Sequence, residues 1–237
     1  MAELLTIVPT RSRPGNVERV IKAWWDTDAF AVADLLVAYD ADDPRRAEYA
    51  AVIAAAPAGV RGMELPTWLP MVHKLDVAAR ENAGRHWALG FAGDDHLPRT
   101  INWARTYLDQ LRDLGTGIVY GDDGYQGANC PTQWAMTADI VRALGRMVPA
   151  PVEHMYSDVS LLDLGRAAEC IRYLPDVLIE HMHPIVRKAD NDEQYKRVNS
   201  RDQFRRDRLI HKQWIRSGLP NDAAAVRALR EESHDDA

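Results

Sequence analysis

The 237 residues carry 29 Lys and Arg against 35 Asp and Glu, a net charge of −6, and 46% of them are hydrophobic and 27% charged. This composition excludes wholesale disorder, and its acidic balance lacks the basic field that phosphate backbones demand, so nucleic-acid binding is not expected. Cys130 and Cys170 are too few for a disulfide framework or zinc ribbon, no apolar run nears the roughly 20 residues of a membrane span, and MAELLTIVPTRSRPG lacks a secretory-signal pattern; the expectation is a soluble, cytoplasmic, mixed α/β protein.

Residues 3–8, ELLTIV, read as a buried strand stopped by Pro9, followed by a turn with two arginines, Arg11 and Arg13. A helix capped by Asn16 should present Val17, Val20, Ile21 and Trp24 on one face. Residues 32–39 form a second strand ended by an acidic cluster from Asp40, and Pro44 suits the first turn of a helix over 45–56. A short strand over 60–65 and a helix over 69–83 precede the apolar strand 86–92, which ends in Gly93-Asp94-Asp95-His96. A helix over 99–114 and a strand over 117–120 complete the alternation. Short connections between alternating strands and helices predict a mainly parallel sheet covered on both faces, with its ligand crevice at the carboxyl ends of the strands. Pro9-Thr10-Arg11, Asp40 and Asp94-Asp95-His96 all fall at such ends.

From Gly121 the alternation loosens into a long loop that feeds a strand over 133–136 and a helix over 138–144. A helix over 159–168 follows, with Ser157 or Asp158 near its start, and a strand over 177–182 leads into Glu180-His181-Met182-His183-Pro184. Beyond Pro184 the chain is strongly charged, with helices expected over 201–216 and 221–232. Helices of mixed charge are usually solvated faces, although Tyr195 and Trp214 point to some packing on the body.

Two carboxylates and an imidazole side by side, as in Asp94-Asp95-His96, repel unless a cation lies between them. Oxygen ligands suit Mg²⁺ or Mn²⁺, and the imidazole tilts the choice toward Mn²⁺. The plainer reading is an aspartate capping the next helix. His181 and His183, two apart on a strand, share a face and could add ligands; the plainer reading is an edge strand with solvated histidines. Asp158 alone reads as an N-cap. The guanidinium groups of Arg11 and Arg13 match phosphate oxygens, or else line a surface turn.

Taken in order, TIVPTRSRP, Asp40, FAGDDH, YSDVSLLDLG and PDVLIEHMHP resemble GT-A-fold glycosyltransferases of the family-2 kind in a small, phage-encoded type. The resemblance spans about residues 3–184 and implies a GT-A domain over 1–184, with a nucleotide-binding half (1–97) and an acceptor half (98–184). The charged helical extension 185–237 lies outside it. It implies a UDP- or GDP-sugar donor held by Pro9, Thr10, Arg11, Asp40, Lys74 and Asp94, with Asn82 also near. In place of the family's Asp-x-Asp, this chain has Gly-Asp-Asp-His. Either Asp95 takes the last aspartate place, or Asp94 and His96 form an Asp-x-His variant, with His183 first and His181 second as a later ligand to Mn²⁺ or Mg²⁺. Asp158 matches the family's base for an inverting transfer, although Ser157 replaces the acid that precedes it. Trp134 and Tyr125 would stack on the acceptor, a glycan or a protein such as a virion component. The implied activity is hexosyl transfer (EC 2.4), in the host cytoplasm if the chain is phage-encoded. The alternatives are a sugar-phosphate nucleotidyltransferase, against which PTRSRPG with its single Gly15 argues, and a non-catalytic nucleotide-sugar or glycan-binding module.

Overall fold

The computed structural model describes residues 2–184, 188, 193–198 and 200–235; the rest of the 185–237 extension lies outside the described residues. The strands are β1 (Leu4–Pro9), β2 (Ala33–Asp40), β3 (Val60–Leu65), β4 (Ala88–Phe91), β5 (His96–Pro98), β6 (Ile118–Asp122), β7 (Trp134–Thr137) and β8 (Ile171–His181). They form one sheet in the order β3-β2-β1-β4-β7-β6-β8-β5. The β3-β2-β1-β4 half is parallel, β6 pairs parallel with β8, and β7 and β5 run against their neighbours. The carboxyl ends of the six co-directional strands therefore share one edge.

Alternation along β1 explains the two layers. Leu5 and Ile7 face a core with Val72, Leu75 and Ala79 of helix α3 (Met71–Asn82). Leu4 and Val8 face a second core with Val17, Val20 and Trp24 of α1 (Pro14–Asp26) and Tyr107, Leu108 and Leu111 of α4 (Trp103–Leu114). Each such aliphatic side chain contributes about 1.5–3 kcal/mol on full burial, so the central strands are fixed from both sides. The remaining helices are α2 (Arg46–Ala54), α5 (Ala138–Leu144), α6 (Ser157–Ala167), α7 (Glu193–Val198), α8 (Arg201–Ser217) and α9 (Leu219–Asp235).

Four expectations are corrected. Helix α1 starts at Pro14, whose fixed φ favours the first helical position, and not behind an Asn16 cap. Residues 96–98 form β5, paired with β8, so α4 begins only at Trp103, after a left-handed Asn102. Strand β8 begins at Ile171, ahead of Pro175, because a register shift opposite Gly121 and Asp122 absorbs the proline. The extension is more than a solvated face: Trp214 of α8, as expected, and with it Ala223 and Val226 of α9 enter the α3-side core, and the Asp207 side chain is wholly buried. No described helix is long and apolar enough to cross a membrane.

Candidate active site

A cavity of about 530 Å³ opens at the shared strand edge. The β1 end contributes Thr10, Arg11 and Arg13, the β4–β5 corner contributes Asp94, Asp95 and His96, and β8 with its exit contributes His181 and His183. Residues 153–158, before and at the start of α6, form a further wall, and Tyr195, Arg197, Gln203 and Arg206 of α7 and α8 face the same space.

Antiparallel pairing of β5 with β8 sets His96 directly opposite His181, and their rings stack with centroids 4.1 Å apart. The Asp95 carboxylate lies 3.3 Å from His96 Nδ1 and 3.5 Å from His181 Nε2. One donor atom from each of Asp95, His96 and His181 falls within 4.8 Å of the others. The backbone N–H of Gly93 donates to His96 Nδ1 at 2.9 Å, which fixes a lone pair on the nitrogen beside Asp95. A Cβ on residue 93 would come within 2.5 Å of Asp95 Oδ1 and 2.6 Å of His96 Nδ1, so only glycine permits this corner. Among the described residues, His96 Nε2 and His181 Nδ1 are buried without hydrogen bonds. One carboxylate and two imidazoles are the donor set of a hard-to-borderline divalent cation, so these residues fit Mn²⁺.

Electrostatics tie the cluster together. Burial opposes charge on His181, but the negative charges of Asp123 and Asp95 beside it outweigh burial and raise the imidazole to about 9. Burial also works against ionised Asp95, yet the His181 imidazolium beside it holds it well below the usual carboxylate range. For His96, burial and the neighbouring His181 charge lower the pKa. Asp94 is pushed up by burial and by the charge on Asp95.

Asp94 turns away from this group. Its carboxylate accepts from Thr10 Oγ1 at 2.7 Å, Arg13 Nη1 at 3.3 Å and Asn16 Nδ2 at 3.4 Å, so an Asp94–His96 pair is not assembled and Asp95 is the carboxylate beside the histidines. His183 lies past the end of β8. Its Nε2 is 3.1 Å from the Tyr195 hydroxyl, its ring stacks 5.8 Å from Tyr125, and it meets the His181 ring edge-on at 4.7 Å. Of the two histidines expected as a later ligand, His181, inside the strand pairing, is the one that groups with Asp95 and His96.

Among the expected donor contacts, Pro9, Thr10, Arg11 and Lys74 line the cavity. Asp40 lies beneath them, wholly buried, and accepts from Lys74 Nζ at 2.6 Å, Arg11 Nη1 at 2.8 Å and the Leu69 N–H at 3.3 Å. It positions two cations and does not itself line the cavity. Asn82 is two turns beyond Lys74, bonded to the Ala78 carbonyl at 2.8 Å, and is not on the cavity.

Asp158 lies on the cavity in the first turn of α6, its Oδ1 accepting from the Val159 N–H at 2.8 Å. Trp134 does not stack on anything outside the protein: it is 1% exposed and packs at 4.4 Å on Phe91, because β7 is an interior strand. Tyr125 is exposed, on the loop after β6.

Sequence reasoning passed over Asp123 and His154. Asp123 accepts from the N–H groups of Tyr125, Gln126 and Gly127 at 2.8, 2.6 and 3.1 Å and from Thr132 Oγ1 at 2.9 Å, and lies 3.9 Å from His181 Nδ1. The signal was present as a second strand-end Gly-Asp-Asp string, 121–123. The extension's contribution, including Arg197 stacked 4.4 Å over Trp68 at the cavity rim, had no local signal.

The fold matches solved structures. A mannosyltransferase from Pyrobaculum calidifontis, in complex with GDP-Man and Mn²⁺, superposes with a TM-score of 0.64 at 15% identity, over 96% of this chain and 73% of that one. Residues 1–349 of S. aureus TarS, in complex with UDP-GlcNAc, give 0.60 at 13% identity, over 99% and 72%. These likenesses establish the GT-A-type α/β fold. No protein-family model matches the chain, and no curated protein does.

Proposed function

We propose that this chain is a metal-dependent glycosyltransferase that moves a hexosyl group from a UDP- or GDP-sugar to an acceptor hydroxyl with inversion (EC 2.4). The observation that carries this reading is the presence, on one cavity, of the Asp95–His96–His181 cluster and the Asp158 carboxylate. The solved structures of similar fold include complexes with GDP-Man, UDP-GlcNAc and Mn²⁺, which supports the donor class and the ion.

Asp95, His96 and His181 would hold Mn²⁺, or Mg²⁺. When bound there, such an ion neutralises charge on a diphosphate leaving group. Arg11, Arg13 and Lys74 supply the fixed positive charge around the donor, preset by Asp40 and Asp94, so little reorganisation is needed when the diphosphate separates. Asp158 accepts the acceptor hydroxyl's proton as its oxygen attacks the anomeric carbon. Asp158 belongs to the first turn of α6, on the wall of the cavity. The acceptor is a glycan or protein hydroxyl entering beside Tyr125, and the working compartment is the cytoplasm.

The test is incubation of purified protein with a panel of UDP- and GDP-sugars, with and without Mn²⁺. Sugar transfer or donor hydrolysis that requires Mn²⁺ is expected. Absence of both nucleotide binding and turnover across the panel overturns the reading.

A further inference from the structure

The corner between β7–α5 and α6 is held unusually firmly. The Asp207 carboxylate of α8, wholly buried, accepts from three consecutive backbone N–H groups, those of Glu153, His154 and Met155, at 3.1, 3.1 and 2.8 Å, and from Gln203 Nε2 at 2.9 Å. Tyr156 follows in the left-handed region at φ +68°, a conformation that costs a non-glycine residue about 1–2 kcal/mol. Its ring is clamped between His211 and Phe204, with centroids 5.1 and 5.3 Å away. The next two residues are Ser157 and Asp158. A strained corner pinned from below by a buried carboxylate sets the directions of both His154 and Asp158.

His154 lines the cavity, yet nothing in the protein uses its ring. Among the described residues, Nδ1 is sealed from solvent without a hydrogen-bond partner, and no protein group bonds to Nε2. The Nε2 edge is therefore the polar edge left for the cavity. Asp158, Asp95 and Arg13 line the same cavity, so the residue stands among the groups that would surround the donor. In a nucleotide sugar the anomeric carbon hangs from the diphosphate, and the base must reach the hydroxyl attacking that carbon. The transferred ring would thus extend from the Asp95 cluster toward the 153–158 wall, which carries both Asp158 and His154.

We propose that His154 is a specificity-determining residue whose Nε2 hydrogen-bonds a hydroxyl of the donor's sugar ring; this rests on the glycosyltransferase reading above. Burial lowers the imidazole's pKa, so at neutral pH the ring is uncharged and reads a hydroxyl without competing for the diphosphate. A neutral hydrogen bond from a residue fixed before binding is a reader of the sugar and not of the nucleotide.

The experiment is calorimetric titration, in Mn²⁺, of UDP, GDP, UDP-glucose, UDP-N-acetylglucosamine and GDP-mannose into the wild type, His154→Ala and His154→Phe. The phenylalanine variant keeps a flat aromatic ring, slightly larger than imidazole, and removes both nitrogens. For a nucleotide sugar that the wild type binds, both variants are expected to lose about tenfold in affinity, the worth of one neutral hydrogen bond. Affinity for the parent diphosphate is expected to be unchanged, which also reports that each variant is folded; should the alanine variant not fold, the phenylalanine variant carries the test. Equal losses for sugar and diphosphate, or no loss for either, overturn the role of His154 and leave the glycosyltransferase reading standing. A wild type that binds none of the five compounds overturns both.

Discussion

Cys130 Sγ donates to Asp158 Oδ2 at 3.0 Å, tying the loop between β6 and β7 to the first turn of α6. Burial and the neighbouring Asp158 push the Cys130 thiol up, so it remains a protonated donor. The proposed base is thus oriented by two contacts, its own helix at Oδ1 and this loop at Oδ2.

Asp158→Asn should keep donor affinity and lose transfer by about 10²–10⁴-fold, the usual worth of a positioned general base. Cys130→Ala should lower kcat by a smaller factor and leave donor binding intact, with Cys130→Ser restoring most of the loss. Donor titration beside initial rates separates the two effects; a collapse of donor binding in Asp158→Asn would make the residue structural.

Removal of a metal ligand should be told apart from removal of a neighbour. Asp95→Asn and His181→Ala are each expected to weaken Mn²⁺ binding by more than about 100-fold, since outer-shell changes alone cost about 10–100-fold. His183→Ala, whose ring is engaged with Tyr125 and Tyr195, should cost less than either. Titration of Mn²⁺ into the metal-free variants reads the order, and a larger effect for His183→Ala would reverse the assignment.

Metal-free protein should lose stability as the solution becomes alkaline. The folded-state pKa of His181, about 9, lies above the ordinary value of 6.5, so protonation favours the folded state. That contribution is complete below about pH 6.5, declines above it, and is lost once pH passes about 9. Thermal melting across this window should show the decline, and His181→Asn should flatten it. Mn²⁺ must displace the same proton, so its stabilising effect should grow with pH.

Asp207→Ala would strand three partly buried amide donors, each costing about 1–3 kcal/mol when left without a partner. A loss of about 3 kcal/mol or more in urea denaturation is expected, against a smaller loss for Arg206→Ala, whose side chain is exposed.

The sheet was legible because short, near-continuous apolar runs such as 4–8 and 35–38, bounded by turn residues, suit strands buried on both faces, and the strand-end polar strings located the cavity edge. What escaped reading was set by pairing between distant segments. The choice of His181 over His183 follows from the register of β5 on β8, and β5 is only three residues long, too short for any pattern. Trp134 sits next to a loop in sequence, yet β7 is inserted between β4 and β6, and that interior place buries its ring. Asp40 reads as a ligand contact until Arg11 and Lys74 are seen to occupy it. Trp214 signalled that the charged extension packs on the body, but Asp207 is isolated among arginines, and a lone aspartate carries no mark of the three amides it serves.

A carboxylate bonded to three successive amides accepts only one angular setting of the helix that bears it. Adding or deleting a single residue between Gln203 and Asp207 would swing that group by about 100° around the axis and leave the 153–155 segment without its anchor. Composition along α8 is free to drift wherever it faces water, but spacing there is not, so length variants in this stretch should be rarer among functional descendants than substitutions.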